Sequence, residues 1–319
     1  MKRVYTFQTD TGSCHLYRSL FPAEFMGPDW EFTFGGVPND IWDYDVVVGQ
    51  RVAGENYWWN KICQNFKGLV IYDLDDDLID VDPRNPVPYS IYEPMRDQTL
   101  RNIMSADVVT VSTHNLAAKL KPWADIIEVL PNCAHPSWIQ RNEPRNLTVG
   151  WAGSVFHDMD LVDMPQILLE WEKFYRSIGG SLPVSFHSMG GNYFNGIGRH
   201  TPFQPLEYAL PQMDFWVGLA PLLDCEFNQS KSWCKALEYA CRGIPVIASN
   251  VGQYPDWLKM DYNGLLVKDR SEWIDALMTM ADPEVRLIMS EGAMATAEQW
   301  TIDKKIHLWR EVYERGKPR

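Results

Sequence analysis

Residues Leu219 to Ser249, LAPLLDCEFNQSKSWCKALEYACRGIPVIAS, read as strand, loop, helix, turn and strand. Asn228 and Ser230 are N-cap residue types ahead of a helical run over Ser230–Arg242, which Gly243 and Pro245 close. Within that run Trp233, Ala236, Leu237 and Ala240 recur at helical spacing and form the expected buried stripe. Lys231, Lys235 and Glu238 recur on a different face, one turn apart. Two ammonium groups near the positive end of a helix suit an anion such as a diphosphate, and Glu238 suits sugar hydroxyls. A solvated face with Lys–Glu pairs worth about 0.2 to 0.5 kcal/mol fits the same spacing, and the helix alone does not separate the two.

Outward from this stretch, 319 residues suggest about two domains, and 45% hydrophobic residues give ample core. A net charge of −13 argues against a broad electrostatic grip on nucleic acid or an acidic membrane. Cys14, Cys63, Cys133, Cys225, Cys234 and Cys241 show neither a C-x-x-C pair nor zinc spacing, so reduced thiols in a cytoplasmic protein are expected. MKRVYTFQTDTG moves straight into a strand pattern, and no apolar run approaches membrane-spanning length, so membrane insertion is not expected.

Taken in order, strands are expected at Arg3–Gln8, Trp30–Phe34, Tyr44–Val48, Gly68–Tyr72, Asp107–Ser112 and Ile126–Leu130. A turn at Thr9–Ser13 and helices at His15–Phe25, Glu55–Phe66 and Asn115–Trp123 fall between them. Gly12, in the first strand-to-helix loop, suits a nucleotide-type α/β domain, but there is no G-x-G-x-x-G. After the polar linker Pro136–Asn146 a second series has strands at Leu147–Trp151, Pro183–His187, Phe215–Leu219, Pro245–Ala248 and Leu265–Val267. Its helices are expected at Val162–Ile178, Ser230–Arg242, Ser271–Met280 and from Asp282 almost to the end. Short β-branched runs alternating with helices indicate two Rossmann-like, doubly wound α/β domains, with ligands at the carboxyl ends of the strands and a cleft between the sheets.

Three further groups carry chemistry. The loop Gly150–Asp158 after the first strand of the second series contains Gly153 and Ser154, whose small size lets backbone N–H groups approach phosphate; an ordinary tight turn reads the same way. His157 in that loop is a catalytic candidate or a structural residue. The run Asp73-Leu74-Asp75-Asp76-Asp77 ends the fourth strand, where so many carboxylates need a cation, a basic neighbour or sugar hydroxyls; turn and cap roles for Asp73 and Asp75 compete equally. Arg18 on the first helix faces a ligand or solvent, and Arg199 and His200 lie in an irregular stretch, Gly190–Pro202.

Several segments together resemble a known family. KALEYACRGIPVIASNVGQYPDWL (235–258), NGLLV (263–267) and DPEVRLIMSEGAMATAEQW (282–300) look like the second domain of GT-B glycosyltransferases related to glycosyltransferase family 4. GWAGSVFHDMD (150–160), Tyr17, Arg18 and Pro22, VIYDLDDDL (70–78), ADVVTVST (106–113) and VLPN (129–132) extend the likeness in the right order over nearly the whole chain. The resemblance implies a domain at 1–140 on the acceptor side, a donor domain at 141–298, and a helix at 299–319 packing back on the first. In that family a Glu, seven residues, Glu pattern precedes this segment, and Glu238 matches the second position, which holds the donor ribose. Ser230 replaces the first Glu. Lys231 and Lys235, with the Ser232 backbone, resemble a lysine-containing subgroup in which cations hold the diphosphate.

Gly153, Ser154 and Gly12 are then donor-side candidates, and Asp75 and Asp76 orient the acceptor. Arg18, His157 and Asp73 are candidates for acceptor or sugar. The implied activity is sugar transfer from a nucleotide diphosphate sugar, UDP-sugar ahead of GDP-sugar, to a protein, glycan or modified nucleobase. The course is retaining, with no metal and no cofactor. The alternatives are a sugar-nucleotide epimerase of the same architecture, or a non-catalytic sugar-nucleotide or glycan-binding protein.

Overall fold

A computed structural model of the protein describes residues 1–7, 12–144, 146–194 and 196–316. Gln8 of the first expected strand, Thr9–Thr11 of the expected turn, Arg145 of the linker, Asn195 and residues 317–319 lie outside the described residues. The chain divides into two compact units, one of Met1–Cys133, Gln229–Ser232 and Ile302–Arg319, the other of Ala134–Asn228 and Trp233–Thr301.

In the first unit β1 (Lys2–Phe7), β2 (Trp30–Phe34), β3 (Val46–Gln50), β4 (Leu69–Leu74), β5 (Val108–Val111) and β6 (Ile127–Val129) form one parallel sheet in the order β2-β1-β3-β4-β5-β6. The central strands are buried on both faces, as a parallel sheet between helix layers requires. The helical run after β1 is continuous over residues 13–25 but passes through a π turn at Leu16–Leu20, which carries Arg18. Gly49 on β3 leaves room for Trp59, since a Cβ there would stand 2.3 Å from the indole. The last helix, Ile302–Glu314, completes this unit: Arg310 donates to the Met26 carbonyl and the Tyr313 ring lies 6.1 Å from Trp30.

In the second unit β7 (Leu147–Gly153), β8 (Val184–Gly190), β9 (Arg199–Pro202), β10 (Val217–Ala220), β11 (Val246–Ser249) and β12 (Gly264–Val267) are parallel in the order β12-β11-β10-β7-β8-β9. Its own core gathers Trp151, Trp171, Leu168, Val217, Leu219, Ile247 and Leu277 between the sheet and its helices. The order places β7 and β10 at the middle of the sheet, beside the point where the winding reverses, which is where α/β sheets bind ligands.

Three expectations are corrected. β9 stands where the sequence reads as irregular chain, because Arg199–Pro202 has no apolar alternation. The run after Asp282 is two helices, Pro283–Ala297 and Ile302–Glu314, interrupted at Trp300 and Thr301, where Ala134 N–H takes the Trp300 carbonyl and the backbone turns extended. The helix expected from Ser230 starts at Cys234 and ends at Cys241. The residues before it, Gln229–Ser232, belong to the first unit, where Thr113 Oγ1 donates to Ser230 O at 3.0 Å and Asn115 Nδ2 to Gln229 O at 2.7 Å. Asn228, expected as a cap, instead donates to Asp160 and to Leu223 O. The far end is as read: Gly243 has φ +64°, and N–H groups of Gly243 and Ile244 return to Ala240 O and Tyr239 O in a Schellman closure.

Candidate active site

In the second unit the candidate residues gather at the carboxyl end of β7. Lys235, in the first turn of the helix Cys234–Cys241, donates from Nζ to Ala152 O at 2.5 Å and lies 4.7 Å from the centroid of the Trp151 ring. Gly153 makes this possible, since a Cβ there would stand 2.6 Å from Lys235 Nζ and 2.7 Å from the indole. Gly190 is required for a different reason: it has φ +89°, and a Cβ on it would lie 1.9 Å from Gly153 O. Tyr239 ties the helix to the sheet, its hydroxyl accepting from Ala152 N–H at 2.9 Å and donating to Leu219 O at 3.1 Å. Burial raises its pKa far above the ordinary phenol value, so it stays a neutral donor and acceptor. Glu238, in the next turn from Lys235, is half-buried.

The loop beyond β7 is ordered by two contacts. His157 N–H donates to Tyr193 Oη at 3.1 Å, and its Nδ1 pairs with Asp160 Oδ2 at 2.9 Å. Asp160 is buried and also accepts from Leu223 N–H and Asn228 Nδ2, at 3.0 and 2.7 Å. A carboxylate so held favours a proton on the imidazole nitrogen that faces it. Ser154 accepts from Phe156 N–H at 3.4 Å, a long bond that shapes the same loop.

In the first unit the acidic run separates residue by residue. Asp73, at the end of β4, takes Arg18 Nη2 at 2.7 Å and Nε at 3.0 Å, and Thr110 Oγ1 at 2.6 Å. Side-chain exposure is 0% for Arg18 and 4% for Asp73, which places both inside the unit rather than on a surface an acceptor could reach. Arg18 further donates to Leu130 O and Asn132 Oδ1. A buried pair joining the first helix to β4, β5 and the end of β6 holds the carboxyl ends of those strands in place.

Asp75 pairs with Arg51 at 2.5 Å. Burial alone would raise the pKa of Asp75, but Arg51, a hydrogen bond from Cys14 and the charge of Arg18 hold it below the usual carboxylate value. Asp76 is more open and takes Lys231 Nζ at 2.9 Å. Asp77 turns inward to Lys119 and caps the N–H groups of Ile79 and Asp80, a structural role.

Lys231 therefore stands before the helix that carries Lys235 and Glu238; Ser232 Oγ accepts from Asn132 Nδ2 at 3.1 Å. Gly12 is exposed and begins the first helix with φ −87°, a conformation that any residue adopts. The structure adds residues the sequence did not point to. Arg51 has φ +50°, a strained conformation for a residue of its size, and its N–H is fixed by Asp73 O at 2.9 Å. Asp160, Tyr239 and Asn132 act through partners far away in sequence, so no local pattern marks them.

Among the described residues no group of three or more His, Cys, Asp or Glu side chains is arranged to hold a metal ion, and no helix is long and apolar enough to cross a membrane.

No family model matches the chain. Over 84 residues it is 39% identical to D-inositol 3-phosphate glycosyltransferase of Saccharomonospora viridis, a match covering 24% of this chain and 20% of that protein. The chain thus spans about a fifth of the length of the curated relative it matches. Among solved structures it is similar to sucrose-phosphate synthase from Thermosynechococcus elongatus, with TM-score 0.68, 13% identity and 99% of both chains covered. HepE from Anabaena, solved with UDP-glucose, gives TM-score 0.67 and 12% identity over 98% of this chain and 100% of its own. The lipopolysaccharide outer core galactosyltransferase WaaB gives TM-score 0.64 and 11% identity over 99% and 100%. At such identities the likeness is one of fold, and over the length of the chain that fold is GT-B.

Proposed function

We propose that the protein is a glycosyltransferase that moves a sugar from a nucleotide diphosphate sugar to an acceptor hydroxyl. The observation that carries this reading is the Lys235 ammonium, held over the Gly153 backbone and the Trp151 ring at the carboxyl end of β7. A fixed cation there meets the charge that develops on a departing diphosphate without reorganising, the largest single contribution in many enzymes. Glu238, in the next turn of the same helix, takes the ribose. UDP-sugar is the favoured donor, in line with HepE, whose structure holds UDP-glucose.

In the step itself the bond from the sugar's anomeric carbon to the β-phosphate oxygen breaks and the bond to the acceptor oxygen forms. The acceptor's proton passes to the departing phosphate, a course that retains configuration. Asp76, the more open carboxylate, orients the acceptor hydroxyl, while Asp75 fixes Arg51. Positive charge from Lys235 takes the part a metal plays elsewhere, so the reaction proceeds in chelator.

Calorimetric titration with UDP and GDP, then assay of nucleoside diphosphate release from the matching sugar nucleotides, tests the reading. UDP should bind, and UDP-sugar should be slowly hydrolysed when no acceptor is present. Interconversion of the sugars would identify an epimerase instead, and binding with no turnover a non-catalytic protein.

A further inference from the structure

The first unit carries an aromatic cluster outside the site described above. Tyr57 and Trp58 open the helix Tyr57–Asn65, and Trp42 sits on the short turn Ile41–Asp43. Their exposures are 68%, 38% and 41%, against near-complete burial for Trp59 in the same helix. Lys61 Nζ lies 5.0 Å from the Trp58 ring, 5.8 Å from Tyr57 and 5.9 Å from Trp42, and the Tyr57 and Trp58 rings are 5.5 Å apart at 74°. One cation shared by three exposed rings holds them as a fixed surface, which lowers the entropy lost when a ligand is seated. Large aromatic side chains gathered in water mark a binding surface more often than scattered ones do.

We propose that this cluster is a platform for a neutral oligosaccharide, and that it holds the acceptor chain away from the reacting end. The inference rests on the transferase reading and names its acceptor class. The C–H face of a pyranose ring is apolar and stacks on an aromatic ring, while its hydroxyls need acceptors and donors around the rim. Both are present: exposed Asp43 and Glu55 flank the rings in sequence, and Gln64 and Asn65 continue the exposed helix face past Lys61. The same acidic rim, in a chain of net charge −13, repels the anionic lipids that a Trp, Tyr and Lys cluster would otherwise suit. The helix follows β3 after a short loop that begins with Arg51, the partner of Asp75.

The test uses the full chain without donor. Saturation-transfer difference NMR against a panel of neutral glucan, galactan, mannan and N-acetylglucosamine tetra- to hexasaccharides should show contact to ring protons of at least one. Trp42→Ala and Tyr57→Ala should each weaken that binding roughly tenfold, the loss expected for one stacked ring, while UDP affinity and melting temperature stay near wild type. Lack of binding to every oligosaccharide in wild-type protein that still binds UDP overturns the platform and leaves the transferase reading standing. So does binding that survives both substitutions. Flotation with zwitterionic vesicles that depends on the same aromatic residues, without saccharide binding, overturns it in favour of a membrane surface.

Discussion

Lys235 and Gly153 form a pair in which the small residue makes room for the charged one, and this gives the residue scale a sharp experiment. In Gly153→Ala the new Cβ meets Lys235 Nζ at 2.6 Å and the Trp151 ring at 2.7 Å. The lysine end is flexible and yields but the buried Trp151 ring must shift, so the stability cost should be about 1 to 3 kcal/mol while UDP affinity falls clearly. Gly190→Ala is the contrast: its Cβ would meet the Gly153 carbonyl at 1.9 Å in a left-handed backbone, and no flexible atom can give way. That variant should lose folded protein on expression, where Gly153→Ala loses binding. A thermal melt beside a UDP titration distinguishes the two.

Elements are held together by buried polar pairs as much as by the apolar core, and the Arg18–Asp73 pair is the clearest case. Arg18→Met leaves Asp73 buried with only Thr110 as a hydrogen-bonding partner, and should cost about 3 to 5 kcal/mol by urea unfolding. Arg18→Met combined with Asp73→Leu should recover part of that loss, because no unpaired charge then remains. The sequence made the strands legible: β2 has the expected bounds, and β7 runs only two residues further than its apolar pattern.

It hid elements whose cause lies elsewhere in the chain. The helices Pro86–Tyr92 and Arg96–Met104 lie in a stretch with prolines at 86, 88 and 94, which reads locally as a break. The residues before Cys234 bond to Thr113, Asn115 and Asp76, more than a hundred residues away. Lys235 and Gly153 were singled out separately, each by a local pattern, a helical run and a glycine loop, and only the fold brings them together. Arg51, Asp160 and Tyr239 were not, because their roles exist only once distant strands are side by side.

For the whole molecule, pH tests the electrostatics in two stages. Burial, with the nearby Arg199 charge, lowers the pKa of His187 below its ordinary 6.5, so the unfolded chain binds that proton first and stability is lost as pH falls from about 6.5 through the lower folded value. His187→Gln should remove this first stage. Asp75 is held below its ordinary 3.8, so its contribution is complete above that pH and disappears only as pH falls through the depressed value. Melting temperature against pH should therefore show an early decline that the His187 variant lacks and a later one that it keeps.

The fold and the lysine–glycine arrangement together make sugar transfer the central claim, and release of UDP from UDP-sugar tests it most directly. Wild-type protein should bind UDP-sugar and release UDP slowly without acceptor, with Lys235→Ala about a hundredfold slower and Glu238→Ala weakened in UDP binding. Binding and release unchanged in both variants would contradict the account.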